Sequence, residues 1–307
     1  MIIKRSKNIA INLLLILFVM AGLMINISCT QKSGQSASKD EPTNESEAAE
    51  SANPKGYDLS KPEKFNMPDD LLEISGITFL NGNADMLYAE EDEDGRVYYL
   101  KLGDKQASYV HFGKKGDYED LGICNGNMVL LRSDGVFFTF PFGQVKSAEV
   151  DARKQDSLLP EGEYEGMYAD DKSKSLYVLC KHCADDKTTK ASSGYILSIQ
   201  TDGTIKQTGT FSVDVTAIEK LAGQKKIAFH PSALTKNQAT NEWYILSSVN
   251  KMLVVADASW KIKAVYPLNS AFNQPEGIAF DAEQNLYISN EGGKLGMGNV
   301  LKFRYNP

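Results

Sequence analysis

The sequence predicts an all-β fold, a β-propeller of five blades, and three observations predict it. The first is a recurring pattern of two polar residues two positions apart, followed by an apolar strand. It occurs at Glu73 and Ser75, Asp117 and Glu119, Glu163 and Glu165, His230 and Ser232, and Gln274 and Glu276. The second polar positions, 75, 119, 165, 232 and 276, are spaced by 44, 46, 67 and 44 residues. A regular step of that size marks units of one design, stacked or arranged in a ring. The second observation is that each pair leads into about four short runs rich in β-branched and aromatic residues, punctuated by Gly, Asp and Asn. Four short strands in roughly 45 residues describe a propeller blade. The third is length, since residues 57–307 suit a single all-β domain.

Residues 1–28 read as a secretory signal. Lys4, Arg5 and Lys7 form a basic start, an apolar run from Ile9 to Ile27 comes next, and Ser28 precedes Cys29. A small residue before a cysteine resembles a bacterial lipoprotein signal, in which Cys29 carries the lipid and becomes the mature N-terminus. An uncleaved membrane anchor is the alternative. Residues 29–56 would then be the lipid anchor and a polar tether with too little apolar surface to order itself. The expected setting is the bacterial cell envelope, with the protein held to a membrane through its N-terminal lipid.

The segment 57–65 precedes the first repeat, and the fifth repeat runs out after three strands. That segment is expected to supply the missing outer strand and so remove an open sheet edge. The long third step holds two insertions, a polar stretch at 183–193 and a segment at 215–224 in which Val215, Ile218 and Leu221 have helical spacing. Five blades is the favoured count, and six would need a degenerate blade hidden in that step.

Removing residues 1–28 takes away three positive charges and no negative ones, which lowers the formal charge from −7 to −10. An acidic surface argues against nucleic acid and is compatible with cations. Cys180 and Cys183 bracket Lys181 and His182. Zinc would need a second ligand pair, and only His111 and His230 remain, so a local disulfide is favoured over free thiols. Glu90 to Asp94 reads as a solvated acidic hairpin, with a loose surface calcium site as the sharper alternative. The glycines at 292, 293, 296 and 298 lack the strand-to-helix context of a phosphate loop.

The phrases around Leu72 to Thr78, Tyr164 to Tyr168, His230 to Leu234 and Gln274 to Asp281 resemble the SdiA-regulated family of bacterial exported β-propellers, over roughly residues 68–306. The chain also looks distantly like phytase-type and lactonase-type calcium propellers. These resemblances imply an exported propeller and leave its activity open.

In a ring, the inner strands would bring the polar pairs together. Ser75, Glu119, Glu165, Ser232 and Glu276 would form one polar ring, and Glu73, Asp117, Glu163, His230 and Gln274 a second. Six carboxylates about one axis repel unless protons or a cation neutralise them. Glu119, Glu165, Glu276, Glu73, Asp117 and Glu163 are therefore candidate ligands of a calcium ion, while Ser75, Ser232, His230 and Gln274 would line the channel. Hydrogen bonds between blades are the competing role for the same residues. The reading leans against an enzyme and towards a protein that binds a small ligand or an envelope partner, with calcium in its channel. A metal-dependent hydrolase of phosphoesters or lactones is the alternative, and a structural scaffold a further one.

Overall fold

The computed structural model describes residues 53–293 and 296–307. The expected signal segment, Cys29 and the expected tether as far as residue 52 lie outside the described residues. The chain enters the fold through β1 (Glu63–Asn66). The first blade is β2 (Ile74–Phe79), β3 (Leu87–Glu91), β4 (Arg96–Leu100) and β5 (Ser108–His111). The second is β6 (Tyr118–Cys124), β7 (Asn127–Arg132), β8 (Phe137–Pro141) and β9 (Arg153–Gln155). The third, the longest, is β10 (Gly162–Asp170), β11 (Ser175–Cys183), β12 (Ala191–Ile199) and β13 (Ile205–Asp214), with a helical turn α1 (Asp186–Thr189) in its middle hairpin. A helix α2 (Val215–Leu221) leads to the fourth, β14 (Ala233–Asn237), β15 (Glu242–Ser247), β16 (Met252–Ala256) and β17 (Ile262–Pro267). The fifth is β18 (Pro275–Phe280), β19 (Leu286–Asn290) and β20 (Asn299–Phe303), completed by β1.

All five sheets are antiparallel and four-stranded, so the fold is the five-bladed propeller that the repeat predicts. The inner strands β2, β6, β10, β14 and β18 pack one against the next, and β18 against β2, which closes the ring. Closure by the N-terminal segment is as expected, though the pairing strand lies slightly later than 57–65. Glu63 sits opposite Lys302 and Asn66 opposite Asn299, while Tyr57 and Leu59 are buried between the fourth and fifth blades. Ordered contacts also begin a little before residue 57, where the Asn53 side chain accepts the Leu59 N–H at 2.8 Å.

Five apolar cores support the count of five, one at each interface between neighbouring blades. The middle strands are sandwiched between two neighbours, which is why β3, β16 and β19 are buried along their whole length and β15 everywhere but at Glu242. The long third step is explained by the extended strands of the third blade and by α2, and no sixth sheet occurs among the described residues. Helix α2 starts where Asp214 accepts the N–H groups of Thr216 and Ala217, satisfying two donors of the first turn.

The start of the inner strands departs from simple alternation. Ser75 and Gly76 together face one residue of β3, Glu119 is unpaired between Tyr118 and Asp120, Glu165 between Tyr164 and Gly166, and Glu276 between Pro275 and Gly277. In four blades the second polar position is therefore the extra residue of a β-bulge, a device that bends a strand and re-aims a side chain. The next residue lies where adjacent inner strands come closest. A Cβ on Gly277 would meet the Ser75 carbonyl oxygen at 2.3 Å, and one on Gly76 would meet Asp120 Oδ1 at 2.6 Å. That crowding accounts for the small residue after four of the five polar pairs.

Candidate functional site: the polar mouth of the channel

The inner strands all begin at one end of the channel. There they meet the ends of the second strands, β3, β7, β11, β15 and β19, because each pair is antiparallel. Glu73, Asp117 and Gln274 are exposed at this mouth, Glu163 and His230 half-buried, and Glu119, Glu165 and Glu276 lie deeper. The two polar rings expected from the sequence are thus present in outline, with unequal members.

Ser75 and Ser232 are buried and serve the ring's construction. Ser75 Oγ donates to the Glu119 carbonyl at 3.1 Å and Ser232 Oγ to the Pro275 carbonyl at 2.8 Å, each reaching the next blade. Asp120 does similar work from the position elsewhere held by Gly or Ala. Its carboxylate accepts Met167 N–H at 2.6 Å across the blade boundary and Leu121 N–H at 2.8 Å. Interblade hydrogen bonding, the competing role for the polar pairs, belongs to these residues.

The three deep glutamates have a cation beside them, and it belongs to the protein. Lys181, on β11, forms ion pairs with Glu165 and with Glu163, the latter at 3.1 Å. Its neighbour His182 places Nδ1 2.7 Å from Glu163 Oε2 and its ring 4.3 Å from that of His230. His230 Nδ1 is buried with no partner among the described residues. Burial pushes Glu165 up to about 7 against the pull of Lys181. Burial, reinforced by the charge of Glu165, pushes Glu119 up to about 10 and Glu276 up to about 8. Burial alone would raise Glu163 too, yet Lys181 and His182 outweigh it and hold that carboxyl low. Burial, with His182 adjacent, lowers His230.

The opposite side of the mouth is acidic. Burial, with Glu73 and Glu91 close by, lifts Asp92 to about 6. Burial and the charge of Asp92 lift Glu291 to about 7, and Gln274 donates a hydrogen bond to it. Here the expected solvated hairpin is corrected. Glu90 and Glu91 are buried at the end of β3: Glu90 Oε1 accepts Gly76 N–H at 2.6 Å, and Glu91 accepts the N–H groups of Glu93 and Asp94. Oxygens of Glu73, Glu91 and Asp92 lie within 4.8 Å of one another, and Asp92 Oδ1 is buried without a partner among the described residues. Such an all-oxygen set fits a hard divalent cation. The other compact group, Cys180, Cys183 and Asp186, does not fit a metal, because the two cysteines are joined in a disulfide and a thiolate is what ligates.

The far end of the channel is different in character. A cavity of about 660 Å³ opens there, floored by Ile77, Leu121, Met167, Leu234 and Ile278. These five side chains succeed the polar pairs along the inner strands and separate the cavity from the carboxylates. Lys172 and Lys236 are at this far end, whereas Lys181 reaches the mouth.

Sequence reasoning did not bring Lys181, His182 and Glu291 to the mouth, and read Glu91 and Asp92 only as part of a surface hairpin or loose calcium site, because all sit on second strands or in the hairpins after them. A signal existed in the antiparallel pairing itself, which must carry the end of each second strand to the start of its inner strand.

Solved structures share this fold. The chain is similar to a luciferin-regenerating enzyme with a TM-score of 0.52 and 10% identity, over 80% of this chain and 95% of that one. It is similar to Myxococcus xanthus glutaminyl cyclase with a TM-score of 0.53 and 16% identity, over 80% and 96%. Both are enzymes, which corrects the leaning against catalysis: propellers of this shape carry out chemistry, and the fold gives no ground for excluding it. At these identities the likeness establishes the fold alone. A search of curated proteins gave no match. Residues 196–294 match the SdiA-regulated family, so the resemblance read over the whole propeller is shown for the end of the third blade, the fourth, and β18 and β19 of the fifth.

Proposed function

We propose that the protein is a cation-assisted hydrolase of uncharged esters, lactones being the favoured class, working at the polar mouth. One observation carries the reading. A single opening gathers carboxyls set on both sides of neutrality, with Glu163 held low, Glu165 at about 7 and Glu276 at about 8, beside Lys181 and the His182–His230 pair. Titratable neighbours whose environments push them apart are suited to acid and base roles at neutral pH.

In this reading Glu165, kept ionised by Lys181, is the base that takes a proton from water and becomes a neutral carboxyl as it does so. Glu276, protonated below about pH 8, is the matching acid for the leaving oxygen. Glu73, Glu91 and Asp92 would hold the cation, calcium by their oxygen character, which supplies a Lewis acid for a substrate carbonyl. The choice of an uncharged ester over a phosphoester rests on charge. A phosphate would face Glu73, Asp92, Asp117 and Glu291, while Lys181 is already shared by two carboxylates.

The test is a panel of lactone, carboxylic ester and phosphoester substrates, with calcium and with chelator. Lactone turnover is expected, with kcat/KM rising through about pH 7 and falling at least about 100-fold in Glu165→Gln. No turnover of any ester, or an unchanged rate in Glu165→Gln, would overturn the assignment. We also propose that the protein resides in the cell envelope, anchored to a membrane by lipid on Cys29. The Cys180–Cys183 disulfide supports an oxidising compartment. Labelled palmitate incorporated as well into Cys29→Ala as into the wild type would remove the anchor.

A further inference from the structure

We propose that the Cys180–Cys183 disulfide is the clamp that holds Lys181 and His182 in the mouth, so that the site is assembled only when this bond is closed. The two residues enclosed by the disulfide are the same two that supply the mouth's contacts to Glu163 and Glu165.

The backbone around them is weakly held. Strand β11 pairs with β12 only as far as Leu179 opposite Gly194. Beyond that point it has β10 alone, and the register there jumps: His182 sits opposite Glu163 and Cys180 opposite Tyr164, leaving Lys181 as an unpaired extra residue. On the facing strand Glu165 is likewise extra. Two bulges therefore meet, and the Lys181–Glu165 ion pair joins them. Bulged residues lack ladder hydrogen bonds, and the strand segment 180–183 ends in the α1 turn, whose side chains are exposed or half-buried. Ser192 Oγ bonds the Cys180 carbonyl at 2.8 Å and is one remaining tie.

The disulfide supplies what the ladder lacks. It packs over Gly162, where a Cβ would lie 2.8 Å from Cys183 Sγ and 3.2 Å from Cys180 Sγ. Cys180 Sγ also lies 3.3 Å from the Glu163 carbonyl oxygen. The bond thus ties the end of β11 down against the part of β10 that carries Glu163 and Glu165.

The redox step is ordinary thiol–disulfide exchange. A reducing thiolate attacks the partly exposed Cys183 sulfur and expels the buried Cys180 thiolate, which takes up a proton. A second thiol of the reductant resolves the mixed disulfide, so one disulfide is reduced, one dithiol oxidised and two protons are transferred. A disulfide-bearing oxidant outside the cytoplasm runs the reverse step. Activity would then be latent in a reducing compartment and appear after export.

This deepens the hydrolase reading but is tested without it. Lysine reactivity is mapped by limited reductive methylation and mass spectrometry on the described propeller, residues 53–307, in oxidised, reduced and Cys180→Ser/Cys183→Ser forms. Lys181 should be methylated at least about tenfold faster when the bond is absent, while Lys236 and Lys263 in the fourth blade keep their rates. An unchanged Lys181 rate would overturn the proposal, because strand pairing alone would then hold the residue. An equal rise at all lysines would also overturn it, since the disulfide would be a general staple and not a local clamp. If the ester panel shows no turnover while Lys181 alone becomes reactive, the clamp stands and the hydrolase reading falls.

Discussion

Glu119→Gln isolates the electrostatic cost of the mouth. Burial and the charges of Glu165 and Asp117 lift Glu119 from 4.5 to about 10, so the folded protein favours its protonated form. For a group whose folded value is raised, the contribution to stability is full below the unfolded value, here 4.5, and is lost as pH rises towards the folded one. Each pH unit in that window corresponds to about 1.4 kcal/mol. Between 4.5 and neutrality the loss would reach roughly 3 kcal/mol, and partial access of water to the mouth reduces it to about 1–2 kcal/mol. Glutamine keeps the shape and cannot ionise. Urea unfolding monitored by fluorescence of Trp243 and Trp260, with chelator present, should show equal stability of the two proteins near pH 5. At pH 7 the variant should be the more stable by about 1–2 kcal/mol. The other carboxyls titrate in both proteins, so the difference reports Glu119. Parallel stability curves from pH 5 to 8 would refute the reasoning and place this carboxyl in an ordinary aqueous environment.

Other substitutions probe the ring. Asp120→Ala leaves the buried Met167 and Leu121 amides without their acceptor and should cost about 2–3 kcal/mol in denaturant unfolding, with Asp120→Asn costing less; equal losses would deny the latch. Trp260 sits at φ 68, stacked at 3.7 Å on Phe211 and 4.1 Å on Trp243. Trp260→Ala loses the stack and keeps the left-handed strain, so Trp260→Gly should melt higher than Trp260→Ala despite being smaller, by about 1 kcal/mol. A chain beginning at residue 53 should stay monomeric, whereas one beginning at 67 lacks β1 and bares the edge of β20; equal behaviour in light scattering would show that β1 does not protect the edge.

The repeat made the architecture legible because each blade must solve the same problem at its inner strand: a close approach to the next blade, then an apolar side chain into the channel. That problem imposes a small residue after the polar pair and an apolar residue two positions beyond the second polar one. Asp120 was the visible exception, a charged residue where Gly76, Gly166, Ala233 and Gly277 stand, and it is a latch to Met167. Helix α2 and the closing strand were legible for similar local reasons, spacing in one case and a missing fourth strand in the other. The mouth was only half legible. Its inner-strand residues are set by the repeat, but Lys181 and His182 reach it by strand pairing across a bulge whose register no single-strand pattern reveals. Glu90 misled for another reason. A run of acids reads as solvated, yet its first member is fixed at the end of β3 by the Gly76 amide, which draws the carboxyl out of water.

The division of the mouth reflects how its charge is balanced. Carboxyl groups around one axis must stay protonated or find partners, and the structure uses two means. Protons stay on Glu119 and Glu276 because burial makes ionisation costly at neutral pH. Lys181 supplies fixed positive charge to Glu163 and Glu165 on the side of the third blade. Neither reaches Glu73, Glu91 and Asp92 across the opening, where Asp92 keeps a buried oxygen without a partner among the described residues. The cation proposed above would therefore lie off the axis towards the first blade, away from Lys181. In the hydrolase proposed above, a substrate entering between them would meet an electrophilic side and a proton-transferring side, a polarity that five identical blades could not create. It arises because the repeats have diverged at the few positions where symmetry would leave only repulsion.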